Sequence, residues 1–410
     1  MTPDPARDYW INRPNLIVLS ASLIAILVLG PRSTLGLFTD PISLSNGWGR
    51  DVVALAIGIQ HLVWGLLQPA AGALADRYGC RRVIVIGACG YALGLALIPL
   101  CTTPQSLYLT AGLLVGMSLS GVGFPVVIAA LGRLMPAARR STALGIATAA
   151  GSVGQFLFAP IGQGFIANYG WPVALWCMAA TVLTVIVLAV PFAADSPRRT
   201  VDVVPPLSFK GAVYAAFGHR SYVLLVSGFF VCGFHVSFIM VHFPPYLSDI
   251  GISSSLAAWA LSLIGLFNIF GAFSAGIFGG RYSKRILLSA IYAARAIVIA
   301  VFLVSSKSDT AVLLFAATLG LLWLSTVPLT SGLVAVMFGT RYLGTLFGFV
   351  FMAHQLGAFV GVWLGGYLFE RTGSYDSMWL LAIGLSVIAT FLHWPLEERR
   401  ASQFTGPAFG

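Results

Sequence analysis

Residues 72–82 read GALADRYGCRR, and four of these eleven side chains are charged. The flanking segments 52–71 and 83–101 are apolar and contain no charged residue. Each has about the 20 residues with which an α-helix crosses a bilayer. The stretch therefore predicts a polar turn that joins two membrane-spanning helices.

The whole chain repeats this alternation. Of its 410 residues, 58% are hydrophobic and 9% are charged, and the mean hydropathy is +0.91, values typical of a polytopic membrane protein. The predicted spans are residues 15–38, 52–71, 83–101, 107–131, 142–167, 172–192, 222–246, 255–279, 286–305, 310–337, 343–369 and 377–395. We expect an all-α membrane protein with twelve transmembrane helices in two pseudo-symmetric six-helix halves, residues 1–192 and 221–396, a cytoplasmic central loop at 193–220 and a short tail at 397–410.

The basic residues predict the orientation. With the N-terminus in the cytoplasm, eighteen of the 23 Lys and Arg residues lie in cytoplasmic segments, whereas Arg50, Lys307 and Arg371 lie on the other face. The positive-inside rule then places both termini in the cytoplasm. This asymmetry accounts for the net charge of +10, so no nucleic-acid partner is expected. We expect a monomer in the lipid bilayer of a bacterial inner membrane.

Charge is nearly absent from the predicted spans. None of the 13 acidic residues lies in a span, and of the basic residues only Arg32 and Arg295 do. A charge at bilayer depth costs roughly 2.5–3.5 kcal/mol on insertion scales, so a retained one indicates a function. Two such cations without a carboxylate partner favour a small-molecule substrate that is anionic.

The sequence gives no sign of catalysis. Its five cysteines form no close pair, which argues against a disulfide framework and a zinc site. No arrangement of nucleophile, base and oxyanion donors is evident. We therefore predict that the protein is not an enzyme and has no metal site and no cofactor.

Glycines recur in the two halves at a constant spacing of 203 residues. The matched pairs are Gly30 with Gly233, Gly145 with Gly348, Gly154 with Gly357 and Gly162 with Gly365. Two halves of the same orientation imply a pseudo-two-fold axis along the membrane normal, with a site between them near the midplane.

These features resemble a known family. The stretch 72–82 is similar to the signature loop of the major facilitator superfamily, and 276–285 is a weaker copy of it. The segment 154–164 resembles a motif found mainly in antiporters of that superfamily. The resemblance implies alternating access by rocking of the halves, a cavity lined by the first, fourth, seventh and tenth helices, and no enzymatic activity.

The signature loop suggests a cytoplasmic gate. The carboxylate of Asp76 can meet a helix N-terminus or a guanidinium such as that of Arg77 or Arg133. Such a pair would hold the cytoplasmic side closed and break when the halves rock. The alternative is that the neighbouring arginines only anchor the topology.

Arg32 is the main candidate for substrate binding. The resemblance places the first helix beside the cavity, and a guanidinium binds carboxylate or phosphate with two parallel hydrogen bonds. Pro31 before it tends to kink the helix. Because Arg32 lies about 10 Å from the helix end, the alternative is a side chain that extends to the outer surface.

Three histidines are candidates for proton coupling, since histidine titrates near neutral pH. His235 is the repeat mate of Arg32, so we expect it to contact substrate as well; His61 and His354 are the other two. The alternative for each is a neutral histidine that bonds two helices together.

Further polar residues complete the predicted site. Gln155, Asn268, Gln355 and Trp323 are expected either to bind substrate or to join helices. For Arg295 we favour a structural role in which it caps backbone carbonyls, with Tyr292 and Asn268 as supporting neighbours.

The loop after the first helix indicates which branch of the superfamily the sequence resembles. Residues 36–42 and 47–50 are similar to the corresponding loop of the monocarboxylate porters and oxalate/formate antiporters. Those families carry a basic residue in the eighth helix, which segment 255–279 lacks. The counter-charge for an anion would then come mainly from Arg32, together with His235.

The leading hypothesis is a secondary active transporter of a small organic anion, such as a monocarboxylate, by proton symport or anion exchange. One alternative is an efflux antiporter for a drug, a metabolite or a metalloid. A more remote alternative is a non-transporting sensor with a transporter fold.

Overall fold

The computed structural model describes residues 9–10, 12–195, 209–339 and 343–401. In this part of the chain, twelve helices are long and apolar enough to cross a membrane, which confirms the predicted fold class. We number them α1 (Pro14–Asn46), α2 (Arg50–Tyr78), α3 (Cys80–Leu100), α4 (Pro104–Leu131), α5 (Thr142–Tyr169), α6 (Trp171–Ala194), α7 (Arg220–Asp249), α8 (Ser254–Arg281), α9 (Lys284–Val304), α10 (Asp309–Phe338), α11 (Leu343–Thr372) and α12 (Asp376–His393).

The turn predicted at 72–82 is shorter than the sequence suggested. Helix α2 continues to Tyr78 and α3 begins at Cys80, so only Gly79 separates the two helices. Its φ of 89° lies in a region that glycine alone adopts readily. The charged side chains of the stretch therefore lie on helix ends.

The spanning helices α1 and α10 are interrupted within the bundle. In α1 the regular helix ends at Ser33, two residues after Pro31, and a 3-10 turn at Leu35–Phe38 leads into the helix Thr39–Asn46. The span therefore extends beyond the predicted end at residue 38. In α10 the helices Asp309–Leu322 and Thr326–Phe338 are separated by three residues.

The segment between the halves is partly helical. Helix α6 ends at Ala194, and α7 begins at Arg220. Within the segment predicted as a central loop, residues Phe209–Phe217 form a short helix.

Two of the repeated glycines, Gly154 and Gly357, lie where helices of the same half approach each other closely. A Cβ atom on Gly154 of α5 would lie 2.6 Å from the carbonyl oxygen of Ile26 in α1. At the matching place, a Cβ on Gly357 of α11 would lie 2.0 Å from the carbonyl oxygen of Phe230 in α7. The spacing of 203 residues thus marks the same packing of first on fifth helix in both halves.

The halves meet along α2 with α11 and along α5 with α8. On α2, a Cβ on Gly58 would lie 3.1 Å from the ring of Phe359, and one on Gly65 would lie 2.7 Å from Gln355. Gly72 is one heptad further on the same face, yet none of the described residues lies within 4 Å of its Cβ position.

We call the end of the bundle with Pro14 and His393 the terminal face and the end with Asn46 and Arg50 the far face. The three other interface helices, α5, α8 and α11, also have a glycine near the terminal face that contacts no described helix of the other half. No described residue lies within 4 Å of the Cβ positions of Gly145, Gly276 and Gly348. The two halves are therefore packed together from the far face to mid-bundle and separated toward the terminal face.

Candidate functional site

Arg32 lies at the end of the regular part of α1 and points into the bundle. Its Nη2 is 3.3 Å from Nδ1 and 3.4 Å from Nε2 of His61, which belongs to α2. The guanidinium also stacks on Trp64, 4.6 Å from the ring centroid. This geometry favours an interior role for Arg32 over extension to the surface, because both partners lie well inside α2.

His61 connects Arg32 to the other half. Its Nδ1 is 3.0 Å from Oε1 of Gln355 in α11, and both side chains are buried. A guanidinium only donates hydrogen bonds, so the ring nitrogen that bonds Arg32 must be an acceptor. A neutral His61 that donates from Nδ1 to Gln355 and accepts at Nε2 from Arg32 satisfies both contacts.

An aromatic pair lies one helical turn toward the terminal face. Trp64 donates from Nε1 to Oε1 of Gln68 at 2.8 Å, and Gln68 in turn donates to the carbonyl oxygen of Ser120 at 3.3 Å. The Trp64 ring meets Phe351 of the opposite half edge to face, with centroids 5.5 Å apart. We call Arg32, His61 and Gln355 the Arg32 centre. Trp64 and Phe351 lie between this centre and the terminal face, where the two halves are apart.

The Arg32 centre has no counter-charge among the described residues. The described part of the chain contains five ion pairs, and none of them includes Arg32. They involve Arg50, Arg133 and Arg399, which lie near helix ends or in the tail. In addition, Nε2 of Gln355 is a buried donor to which no residue in the described part of the chain offers a hydrogen-bond acceptor. Unpaired cations and donors of this kind are costly inside a protein, and an anion could satisfy them.

The predicted histidines lie in three different environments. His61 contacts Arg32, as described above. His354 stacks on Phe351 with centroids 6.0 Å apart and precedes Gln355 on α11. The structure does not bring His235 to Arg32, because its Nε2 lies 2.8 Å from the carbonyl oxygen of Ala382 in α12.

Three other predicted residues join helices. Nε2 of Gln155 donates to the carbonyl oxygen of Leu261 at 3.4 Å across the α5–α8 interface. Nδ2 of Asn268 donates to Ser152 at 2.9 Å across the same interface. Trp323 is buried in the interruption of α10. None of these contacts reaches the Arg32 centre.

Arg295 caps the interruption of α10, the type of role that the sequence favoured. Its guanidinium donates to the carbonyl oxygen of Leu322 at 2.6 Å and to that of Trp323. Asn268 supports the same break by accepting from the backbone N–H of Leu324 at 2.9 Å. Irregular backbone at membrane depth needs such partners, since no water is available there.

The residues of the predicted cytoplasmic gate do not connect the halves. Arg133 pairs with Asp76 at 3.1 Å and with Asp195 at 2.8 Å. Asp76 lies near the end of α2 and Asp195 directly follows α6, so both pairs connect helices of the first half. The hydrogen bond to Asp195 raises the pKa of Arg133. Arg77 stacks on Tyr78, 5.3 Å from the ring centroid. The expected role of holding the two halves closed therefore does not follow from this pairing.

Sequence reasoning missed the ion pair that does cross between the halves. Arg50 at the start of α2 donates from Nη1 and Nη2 to Asp249 of α7 at 2.6 and 2.8 Å. The sequence by itself identifies Arg50 only as a basic residue on the face opposite the termini. Trp64 and Phe351 were also missed, although Trp64 follows His61 by three residues and so lies on the same helix face.

The sequence profile of the Major Facilitator Superfamily matches residues 21–208 and 225–410. Monocarboxylate transporter 13 of Rattus norvegicus is 27% identical over 392 residues, which cover 92% of this chain and 89% of that protein. The uncharacterized MFS-type transporter YcxA of Bacillus subtilis (strain 168) is 23% identical over 403 residues, covering 94% of this chain and 96% of that protein.

Solved structures share the fold. A D-xylose-proton symporter superposes with a TM-score of 0.75 at 15% identity, over 93% of this chain and 98% of that one. A bacterial homolog of the human lysosomal transporter Spinster, in an inward-facing and occupied conformation, superposes with a TM-score of 0.74 at 15% identity, over 99% and 100%. With the profile match over nearly the whole chain, the protein belongs to the Major Facilitator Superfamily and is an integral membrane transporter, not an enzyme.

Proposed function

We propose that the protein carries a small organic anion, most simply a monocarboxylate, by alternating access of its two halves, by proton symport or anion exchange. The observation that carries this proposal is the guanidinium of Arg32, which lies inside the bundle without a carboxylate partner among the described residues. Several relatives named monocarboxylate transporters, 24–27% identical to this chain, support the same substrate class.

A carboxylate suits the geometry around Arg32. The planar guanidinium can donate two parallel hydrogen bonds to a carboxylate, and it now faces a neutral imidazole at 3.3–3.4 Å. An incoming anion would replace His61 as the partner of Arg32 and could accept a further bond from Nε2 of Gln355, which has no partner among the described residues. Trp64 and Phe351 offer an apolar wall for a short hydrocarbon tail.

Proton coupling is proposed at His61. In the structure the imidazole lies beside the guanidinium of Arg32, which has no carboxylate partner among the described residues. A bound anion neutralises Arg32, so His61 can then take up one proton. One anion and one proton would move together, and the transported pair would carry no net charge. His354 beside Gln355 is a second candidate, whereas His235 bonds α12 and has no contact with this centre.

The orientation proposed here places the terminal face in the cytoplasm of a bacterial cell, as the distribution of basic residues favours. The far face then lies outside, and the structure corresponds to a state open to the cytoplasm. A monomer is sufficient for this arrangement, since both halves of the site come from one chain.

A thermal-shift panel on purified protein tests the substrate class. The unfolding temperatures of wild type, Arg32→Gln and His235→Gln are measured with and without each ligand, at neutral and acidic pH. The ligands are small carboxylates, hydrophobic cations and uncharged metabolites. A ligand at 100 times its dissociation constant stabilises by about 2.7 kcal/mol. We expect a carboxylate to stabilise wild type and His235→Gln, and to leave Arg32→Gln unchanged.

Two outcomes would contradict the proposal. Stabilisation by cations or apolar compounds only would favour an efflux antiporter. A carboxylate that stabilises Arg32→Gln as strongly as wild type would remove Arg32 from the binding site.

A further inference from the structure

Arg50 makes a dense set of contacts at the far face. Its guanidinium donates two hydrogen bonds to Asp249, at 2.6 and 2.8 Å, and one from Nε to Asp40 at 2.7 Å. Its backbone N–H donates to Oε1 of Glu370 at 2.7 Å. The guanidinium also lies over the ring of Phe369, 4.4 Å from the centroid.

These partners come from both halves of the transporter. Asp40 belongs to α1, in the same half as Arg50, whereas Asp249 ends α7 and Glu370 lies near the end of α11. Among the ion pairs of the described residues, the Arg50–Asp249 pair alone connects the halves. At the terminal face, the ion pairs of Arg133 with Asp76 and Asp195 connect helices of one half only.

The arrangement allows the cross-half contact to break without leaving a buried charge unpaired. If α7 and α11 move away, Arg50 loses Asp249 and Glu370 but keeps Asp40 on its own half. The side chain of Asp249 is 36% exposed, so water can replace its partner. A pair with a two-bond geometry is stronger than a single surface contact, yet this one can separate reversibly.

We propose that Arg50 is the far-face gate residue of the transport cycle, and that its bonds to Asp249 and Glu370 hold the bundle closed on that side. The proposal rests on the alternating-access part of the proposed function and not on the substrate. Weakening the gate should increase the population in which the far side is open.

Ser237 offers a position at which to detect this opening. It is 1% exposed, and its hydroxyl has no hydrogen-bond partner among the described residues. It precedes Met240 and Val241 by three and four residues, so it lies on the face of α7 that meets Gly36 of α1. Ser237→Cys is a small change, and its thiol is protected as long as α1 and α7 stay together.

The experiment measures the rate at which a maleimide fluorophore labels Ser237→Cys in purified full-length protein in nanodiscs, without substrate. The rate is compared in the Arg50→Gln, Asp249→Asn and Arg371→Gln backgrounds, and the same chains without the reporter give the labelling of native cysteines. Arg371 is the matched control, because it is an exposed far-face arginine that stacks on Tyr367. A tenfold change in rate corresponds to about 1.4 kcal/mol in the opening equilibrium.

We expect labelling to rise about tenfold or more with Arg50→Gln and Asp249→Asn, and to stay at the wild-type rate with Arg371→Gln. Unchanged labelling in both gate variants, or an equal rise in Arg371→Gln, would overturn the proposal. If Arg50→Gln does not purify as a folded protein, Asp249→Asn decides alone, since it retains the Arg50–Asp40 pair. Because no ligand is used, a wrong substrate assignment cannot mimic either result.

Discussion

At the scale of single residues, His61 links the two halves at the centre of the bundle. It is the one described side chain that contacts both Arg32 of the first half and Gln355 of the second. A substrate that displaces it from Arg32 would therefore also disturb the α2–α11 contact. Binding and rearrangement of the halves are then coupled through one imidazole.

His61→Gln tests this coupling. Glutamine keeps a hydrogen-bonding side chain but cannot take up a proton at neutral pH. In proteoliposomes, we expect uptake driven by a proton gradient to fall to the level of empty vesicles, while exchange of internal for external anion continues. His235→Gln serves as the control and should retain both activities. Equal loss of uptake and exchange in His61→Gln would show that the residue does not couple protons.

At the scale of helices, the interruption of α10 depends on Arg295. The carbonyl oxygens of Leu322 and Trp323 have left the regular helix, and the guanidinium supplies their hydrogen bonds. Arg32 is also a cation inside the bundle, but its partners are side chains. The two arginines should therefore respond differently to the same substitution.

Arg295→Met and Arg32→Met form a matched pair. An unsatisfied buried acceptor costs about 1–3 kcal/mol, partly offset here by removal of a buried charge. We expect Arg295→Met to lose about 2 kcal/mol of stability and to keep the ligand-induced thermal shift. Arg32→Met should unfold near the wild-type temperature and lose that shift. The reverse pattern would exchange the two assignments.

The glycines of α11 provide a second test at this scale. A Cβ on Gly357 would lie 2.0 Å from the backbone oxygen of Phe230, whereas a Cβ on Gly348 meets no described atom within 4 Å. Gly357→Ala should cost about 2 kcal/mol or more, because backbone cannot move aside easily. Gly348→Ala should be neutral or stabilising by up to about 1 kcal/mol. Thermal unfolding of both variants measures this, and equal values would contradict the helix packing described here.

At the scale of the whole molecule, the ion pairs of Arg133 at the terminal face and those of Arg50 at the far face have different roles. Arg133 ties α2, α4 and the end of α6 together within one half, whereas Arg50 connects the halves. The first should determine how stable the half is, and the second should determine which side of the transporter is open.

Arg133→Gln separates these tasks. We expect it to lower the unfolding temperature, since Asp195 would lose its charged partner. The labelling rate of Ser237→Cys should remain at the wild-type level, because no contact between the halves is removed. An increase similar to that expected for Arg50→Gln would show that the Arg133 cluster also acts as a gate.

The sequence alone was enough to find the twelve helices and the two similar halves, and to place Arg32 and Arg295 within apolar segments. Those features follow from the length of apolar segments, from spacing along the chain and from the cost of charge in a bilayer. They are local properties, so no knowledge of the neighbouring helices is needed to find them.

Only the tertiary structure decided which side chains meet. His61 and Gln355 are separated by 294 residues, and Arg50 and Asp249 by 199, so no periodic pattern joins either pair. His235 matches Arg32 in sequence but faces α12, because the two halves are similar in backbone packing and not in the contacts of their polar side chains. Partner choice depends on how helices rotate and cross, which is fixed by close approach at residues such as Gly154 and Gly357.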